Sequence, residues 1–167
     1  MKLSSLNLKK KCSLIKLVIT DVDGVLTDGG MYYSGKGDIM KKFHARDGMG
    51  VTLLRKNGIH TIIVTKEQTE IVKQWSKKMQ VKELFDGIKN KEIILDKVCK
   101  KYKVIPSQVA YIGDDVNDIG LLQKVGFSAS PKDGMSIVKR ICNYRCKTEG
   151  GKGAFRELVE LILKNRR

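Results

Sequence analysis

Proline is nearly absent from the 167 residues, with only two present. No proline-rich linker therefore divides the chain, and one domain of ordinary size is expected, long enough to bury a real core. Aromatic residues make up 6% and do not interleave with the lysines, so no stacking platform for single-stranded nucleic acid is visible. No apolar run approaches the ~20 residues of a membrane span. The basic opening MKLSSLNLKKKCSL lacks the apolar stretch of a signal peptide, so a soluble protein, with no membrane partner, is expected. The cysteines are Cys12, Cys99, Cys142 and Cys146. Their one close pair has no nearby histidine to complete a zinc site. Reduced thiols in a cytoplasmic protein are expected instead. There is no internal repeat, no G-x-G-x-x-G, no P-loop and no Ser-His-Asp pattern, and His44 and His60 read as structural.

Negative charge is also in short supply. Lysine and arginine total 33 against 18 acidic residues, a net charge of +15. Such a field draws in anions, and both nucleic acid and a small phosphorylated acid answer to it. No nucleic-acid-reading motif accompanies the charge, so a small anion is the expected partner.

Hydrophobic periodicity supplies the architecture. Residues 14–20, 60–64, 108–112 and 126–129 are short, mostly apolar runs, as expected of strands covered on both faces of a parallel sheet. Helical spacing predicts helices over 49–57, 67–79, 91–102, 117–125, 135–140 and 154–164. Strands alternating with helices of this length make a doubly wound α/β sheet. Two stretches stand apart. Residues 1–13 read as a flexible basic extension preceding a single domain at 14–167. Residues 29–47 interrupt the alternation as a β-hairpin around Ser34 to Asp38. Its apolar side chains, Met31, Tyr32, Tyr33, Ile39, Met40 and Phe43, need cover, because two strands alone are marginal in water.

In open α/β sheets, ligands bind at the carboxyl ends of the strands. Here the first strand runs into Asp21-Val22-Asp23-Gly24, the second into Thr65 and the third into Gly113-Asp114-Asp115. In a D-x-D pair one carboxylate can attack phosphorus while the other protonates the leaving oxygen and later activates water. Bare carboxylates would repel a phosphate dianion, so a metal ion must join them. Magnesium suits oxygen ligands, here from Asp21, the Asp23 backbone carbonyl and Asp114. Thr65 and Lys91 are the candidates for holding phosphoryl oxygens. Asp115 and Asp118, within G-D-D-x-x-D, are expected to orient the ligands from behind.

With these residues in order, the chain resembles the haloacid dehalogenase superfamily of phosphatases. Within it, the strings DVDGVLTDGGMYYSGKG, KKFHARDGMGV, VAYIGDDVNDIGLL and EGGKGAFRELVE resemble the capless phosphatases of 3-deoxy-2-ulosonic acid 8- or 9-phosphates. The resemblance implies a Rossmann-like fold, magnesium, and a homotetramer in which hairpins pack together and neighbours help close each site. It makes Asp21 the nucleophile and Asp23 the general acid/base, with Asp114 a metal ligand and Thr65 and Lys91 on phosphate. It places Arg46 and Asp47 near substrate, and Lys152 and Arg156 in a tail that reaches toward a neighbouring site. The chain departs from the family where Lys66 follows Thr65 in place of glycine.

Glutamate at position 67 resembles the nine-carbon branch, implying a sialic acid-type (nonulosonate) 9-phosphate. Glu67 and Lys78 are expected to lie along one helix face as parts of one polar wall. The alternatives are a 3-deoxy-D-manno-octulosonate 8-phosphate phosphatase, or a noncatalytic assembly module like those fused to acylneuraminate cytidylyltransferases.

Overall fold

The computed structural model describes residues 4–166. A six-stranded parallel sheet forms the centre. Its strands are β1 (Leu17–Thr20), β4 (His60–Val64), β5 (Glu83–Phe85), β6 (Val109–Ile112), β7 (Phe127–Ser130) and β8 (Tyr144–Arg145), in the order β5-β4-β1-β6-β7-β8. The chain winds outward from β1 in one direction as far as β5, then returns to β6 and winds the other way. The switch point therefore lies beside β1, where a ligand crevice forms in such sheets.

The sheet is buried on both faces by simple alternation. Val18, Ile63, Ala110 and Ile112 point to one side, and Leu17, Ile19, Ile62, Val64, Val109 and Tyr111 to the other. The first side is covered by α1 (Ser5–Leu14), α2 (Ala45–Lys56), α3 (Glu70–Met79) and α7 (Ala154–Asn165). The second is covered by α4 (Ile94–Tyr102), α5 (Ile119–Lys124) and α6 (Ser136–Ile141). Phe155, Leu158, Val159 and Ile162 of α7 are fully buried, each such side chain worth about 1.5–3 kcal/mol of burial. The expected doubly wound α/β fold is present.

The differences from expectation lie in short or glycine-containing segments. Strands β5 and β8 have three and two residues, too few to leave a periodic signal. Helix α2 begins at Ala45 rather than near Met49, because the His44 imidazole accepts the Arg46 N–H at 3.2 Å and caps it. Its Gly48 and Gly50 weaken propensity but admit Met79 and Phe155, which side chains there would strike. Helix α3 starts only at Glu70, capped by Thr69, so Glu67 lies outside it. The hairpin pairs β2 (Tyr32–Ser34) with β3 (Gly37–Met40) as a separate sheet. Met31, Tyr33, Ile39 and Met40 on it are each more than half exposed.

Residues 5–13 correct the expectation of a flexible extension. They belong to α1, which packs beside α7 with Cys12 fully buried and Leu8 against the core. The Lys11 ammonium donates to the Gly126 carbonyl at 2.6 Å. The run Lys9-Lys10-Lys11 and the lack of a clear apolar stripe concealed this. Residues 1–3 lie outside the described residues. All four cysteines are free thiols, and no helix among the described residues is long and apolar enough to cross a membrane.

Deleting residues 1–13 is expected to lower the thermal unfolding midpoint by several °C, as loss of about 1–2 kcal/mol of packing does in a domain of this size. A mobile arm would leave the midpoint unchanged, which differential scanning calorimetry would show.

Candidate active site

Three of the central strands deliver their carboxyl ends to one cleft. Asp21 follows β1, Thr65 follows β4, and Asp114 lies two residues beyond β6. The cleft, about 510 Å³, is lined by Asp21, Asp23, Gly24, Gly29, Thr65, Lys66, Glu67, Lys89, Asp114, Asp115, Val116 and Asn117.

Carboxylates crowd its floor. One oxygen from each of Asp21, Asp114 and Asp118 can be chosen so that all lie within 4.8 Å of one another. Lys91, fully buried, sits behind them, its ammonium 2.7 Å from Asp21 Oδ2 and 2.6 Å from Asp118 Oδ1. The other Asp21 oxygen accepts the Val22 N–H at 2.7 Å, so the carboxylate is oriented from two sides. Burial pushes the Asp21 carboxyl up to about 7; the Lys91 ammonium works against that rise and the Asp118 charge adds to it. Asp114 is pushed up to about 8 by burial and by the Asp21 and Asp118 charges, against Lys91. Burial works against the Lys91 ammonium too, but its two carboxylate partners overcome this and hold it charged.

Asp118 behaves differently from its neighbours. Its Oδ1 accepts from Lys91 and from the Tyr111 hydroxyl at 2.6 Å, while its Oδ2 accepts the Asp114 and Asp115 N–H groups at 2.8 and 3.2 Å. It is fully buried, takes four donors on its two oxygens and does not line the cleft, so it orients rather than ligates. Asp115 is exposed and caps the turn that follows, accepting the Val116 N–H. Asp21 and Asp114 line the cleft, and a divalent cation suits these two hard donors, since their charges exceed what Lys91 offsets.

The loop carrying Asp21 and Asp23 is shaped by glycine. Gly24 has φ +79°, and a Cβ there would run into the Asp114 carboxylate. Gly150 and Gly151 press against the outer side of the same loop, where side chains would meet the Gly24 carbonyl and the Thr27–Asp28 backbone. The Gly151 N–H also donates to the Val25 carbonyl at 3.0 Å.

Two lysines complete the picture that sequence reading missed. Lys89 lines the cleft, and nothing distinguished it among so many lysines. Lys41 is buried against Asp23 at 2.6 Å and Asp38 at 3.0 Å. Burial works against its charge, but the two carboxylates prevail and raise its pKa. The faint signal was its place just after a strand, two residues before Phe43.

Other expected site residues fall elsewhere. Asp47 is wholly buried and accepts the Arg156 N–H at 2.8 Å, capping α7 from another helix; burial pushes it up to about 6. It is a structural residue, and its neighbour Arg46 is exposed outside the cleft. Arg156 pairs with Glu160, and Lys152 with Glu149; neither lines the cleft of its own chain. Lys78 lines a separate opening of about 630 Å³ beside α2 and α3, with Phe43, Arg55 and Trp75 but no carboxylate. Glu67 lies in the carboxylate cleft instead, so the polar wall expected of this pair does not form within one chain. Lys66 is more than half exposed, within 4.0 Å of Glu67, and lines the cleft together with Thr65.

Comparison with known proteins decides the family. The model of the haloacid dehalogenase-like hydrolases matches residues 55–158. The chain belongs to the haloacid dehalogenase-like hydrolases. It is 37% identical over 156 residues to the 3-deoxy-D-manno-octulosonate 8-phosphate phosphatase KdsC of Haemophilus influenzae, covering 93% of this chain and 87% of that one. The cobalt-bound structure of the Haemophilus influenzae enzyme superposes with a TM-score of 0.91, over 93% of this chain and 91% of the other, at 37% identity. The octulosonate 8-phosphate phosphatase of Moraxella catarrhalis, in complex with magnesium, phosphate and KDO, gives 0.94 at 33% identity, over 98% and 94%. Like these relatives, this haloacid dehalogenase-like hydrolase is a phosphoric monoester hydrolase.

The acidic floor makes stability depend on pH and cation together. Asp21 and Asp114 have folded pKa values above the unfolded 3.8, so the folded chain holds more protons between about pH 4 and pH 8 and loses stability as pH rises through that window. In chelator, Tm is therefore expected to fall from about pH 5.5 to about pH 8. Asp114→Asn should flatten that slope, raise Tm at the alkaline end, and lose most of the stabilisation that a divalent cation gives the unaltered protein. An unchanged slope and cation response in the variant would remove Asp114 from the site.

Proposed function

We propose that this chain is a magnesium-dependent phosphatase of 3-deoxy-D-manno-octulosonate 8-phosphate that works through an aspartyl-phosphate on Asp21. The observation that carries the reading is the Asp21 carboxylate, oriented by Lys91 and the Val22 N–H at the floor of an open cleft that also presents Asp23, Thr65 and Asp114. The metal ligands are the Asp21 and Asp114 carboxylates and the Asp23 carbonyl. A bound magnesium ion offsets the carboxylate charge and draws electron density from the phosphoryl oxygens.

Asp21 attacks phosphorus, a bond forms from its carboxylate oxygen, and the bond to the sugar oxygen breaks. Asp23 gives that leaving oxygen its proton and afterwards takes one from the water that hydrolyses the acyl phosphate. Lys91, expected on phosphate, is fully buried outside the cleft lining and is committed to Asp21 and Asp118, so it acts through Asp21, orienting the nucleophile and offsetting its charge. Thr65, which lines the cleft, is the group for a phosphoryl oxygen. Asp115 and Asp118 hold the loop that bears Asp114 in position.

The eight-carbon substrate replaces the nonulosonate 9-phosphate suggested by Glu67. Relatives at 33–37% identity bear the octulosonate name over nearly the whole chain, and the Moraxella catarrhalis neighbour holds KDO itself. The nine-carbon expectation came from Glu67 alone, which lines the carboxylate cleft, while Lys78, expected in one polar wall with it, faces a different opening. The exposed apolar hairpin supports the further reading of a homotetramer, in which Met31, Tyr33, Ile39 and Met40 are covered by neighbouring copies.

Asp21→Asn, nearly isosteric, is expected to lower turnover by at least ~10³ while leaving circular dichroism and assembly unchanged. In a phosphate-release assay the unaltered enzyme should favour octulosonate 8-phosphate over nonulosonate 9-phosphates by ~10-fold or more in kcat/KM; the reverse order would restore the nine-carbon substrate. Ile39→Glu should dissociate the assembly in light scattering, and a monomeric unaltered protein would defeat the tetramer.

A further inference from the structure

A lysine buried beside an aspartate with no view of solvent is an expensive arrangement, and one stands where the hairpin meets the cleft. Lys41 immediately follows β3, and its side chain is 1% exposed. The ammonium reaches Asp23 Oδ1 at 2.6 Å and Asp38 Oδ2, on β3, at 3.0 Å. The Thr27 hydroxyl lies 3.4 Å from the same Asp23 oxygen. No hydrogen bond among the described residues engages Asp23 Oδ2, and the Asp23 side chain, 31% exposed, lines the cleft.

We infer that Lys41 is a positioning residue that holds the Asp23 carboxyl group in one orientation, with Oδ1 on the ammonium and Oδ2 left free, and that it ties this group to the hairpin through Asp38. This rests on Asp23 being the proton donor to the leaving group. An ammonium has donors and no acceptor, so the oxygen facing it must be the acceptor. With Oδ1 held by Lys41 and the Thr27 hydroxyl, Oδ2 is the oxygen left for proton exchange with the substrate. Without Lys41 the carboxyl is free to rotate, and its proton is no longer aimed at the sugar oxygen. Asp38 anchors the ammonium from the hairpin side, so a shift of the hairpin moves the proton donor with it.

Substrates with different leaving groups separate this role from a merely structural one. A sugar alkoxide needs a proton as it departs, and p-nitrophenolate does not. In the assembled, magnesium-loaded protein, Lys41→Met is expected to slow octulosonate 8-phosphate turnover by ~10²-fold, in the range of a lost general acid. With p-nitrophenyl phosphate the first turnover should stay within ~3-fold of the unaltered enzyme, giving a burst of about one nitrophenolate per site before a slow phase limited by water activation. The burst amplitude counts intact sites, so rates are compared per folded site. Asp38→Asn, which leaves the ammonium in place, should show the same pattern at ~10-fold and carries the test if K41M does not fold. Equal losses on both substrates, or none on either, would overturn the inference. Asp23→Asn serves as the reference: if it lacks the leaving-group pattern, the assignment of Asp23 itself is wrong. If it shows the pattern and both K41M and D38N do not, only the role of Lys41 fails.

Discussion

Mutual repulsion among buried carboxylates is the constraint around which this molecule is organised. Asp21, Asp114 and Asp118 converge within a few ångströms, in surroundings that make charge costly. Lys91 makes the convergence tolerable from behind by touching two of them. Its own burial is tolerable only because those partners exist. The third carboxylate, Asp114, is left with an excess of negative charge around it. The remaining imbalance opens toward the cleft, where a dication can enter.

The sheet serves this arrangement directly. Parallel strands β1 and β6 are neighbours in matched register, Thr20 beside Ile112, so the residues after them emerge side by side. Antiparallel or distant strands would have sent Asp21 and Asp114 to opposite edges. Tyr111, inside β6, extends the same logic by lending its hydroxyl to Asp118 from within the core. The polar floor is thus wired into the apolar layers.

Most of this was legible because it depends on local pattern. Apolar runs of four or five residues ending in Asp21, Thr65 and Asp114 named both the strands and their reactive ends. The expected strand at 60–64 is β4 to the residue. What escaped was set by tertiary packing. Asp47 looked like a polar residue in a functional string, and only the placement of α7 above it makes it a helix cap. Lys41 looked like one lysine among many, and only the fold-back of the hairpin onto Asp23 sets it apart. Residues 5–13 looked solvated because three consecutive lysines dominate them, yet Cys12 and Leu8 reach the core.

The glycines at 150 and 151 have a consequence for how the enzyme comes into being. They press on the backbone of residues 24–28, more than a hundred positions earlier in the chain. During synthesis the loop bearing Asp21 and Asp23 leaves the ribosome long before its brace does. Sheet strands that pair in the meantime do so around an unbraced loop, and helix α1 waits for α7 in the same way. The contacts that brace this loop thus join the first and last parts of the fold, which are completed together.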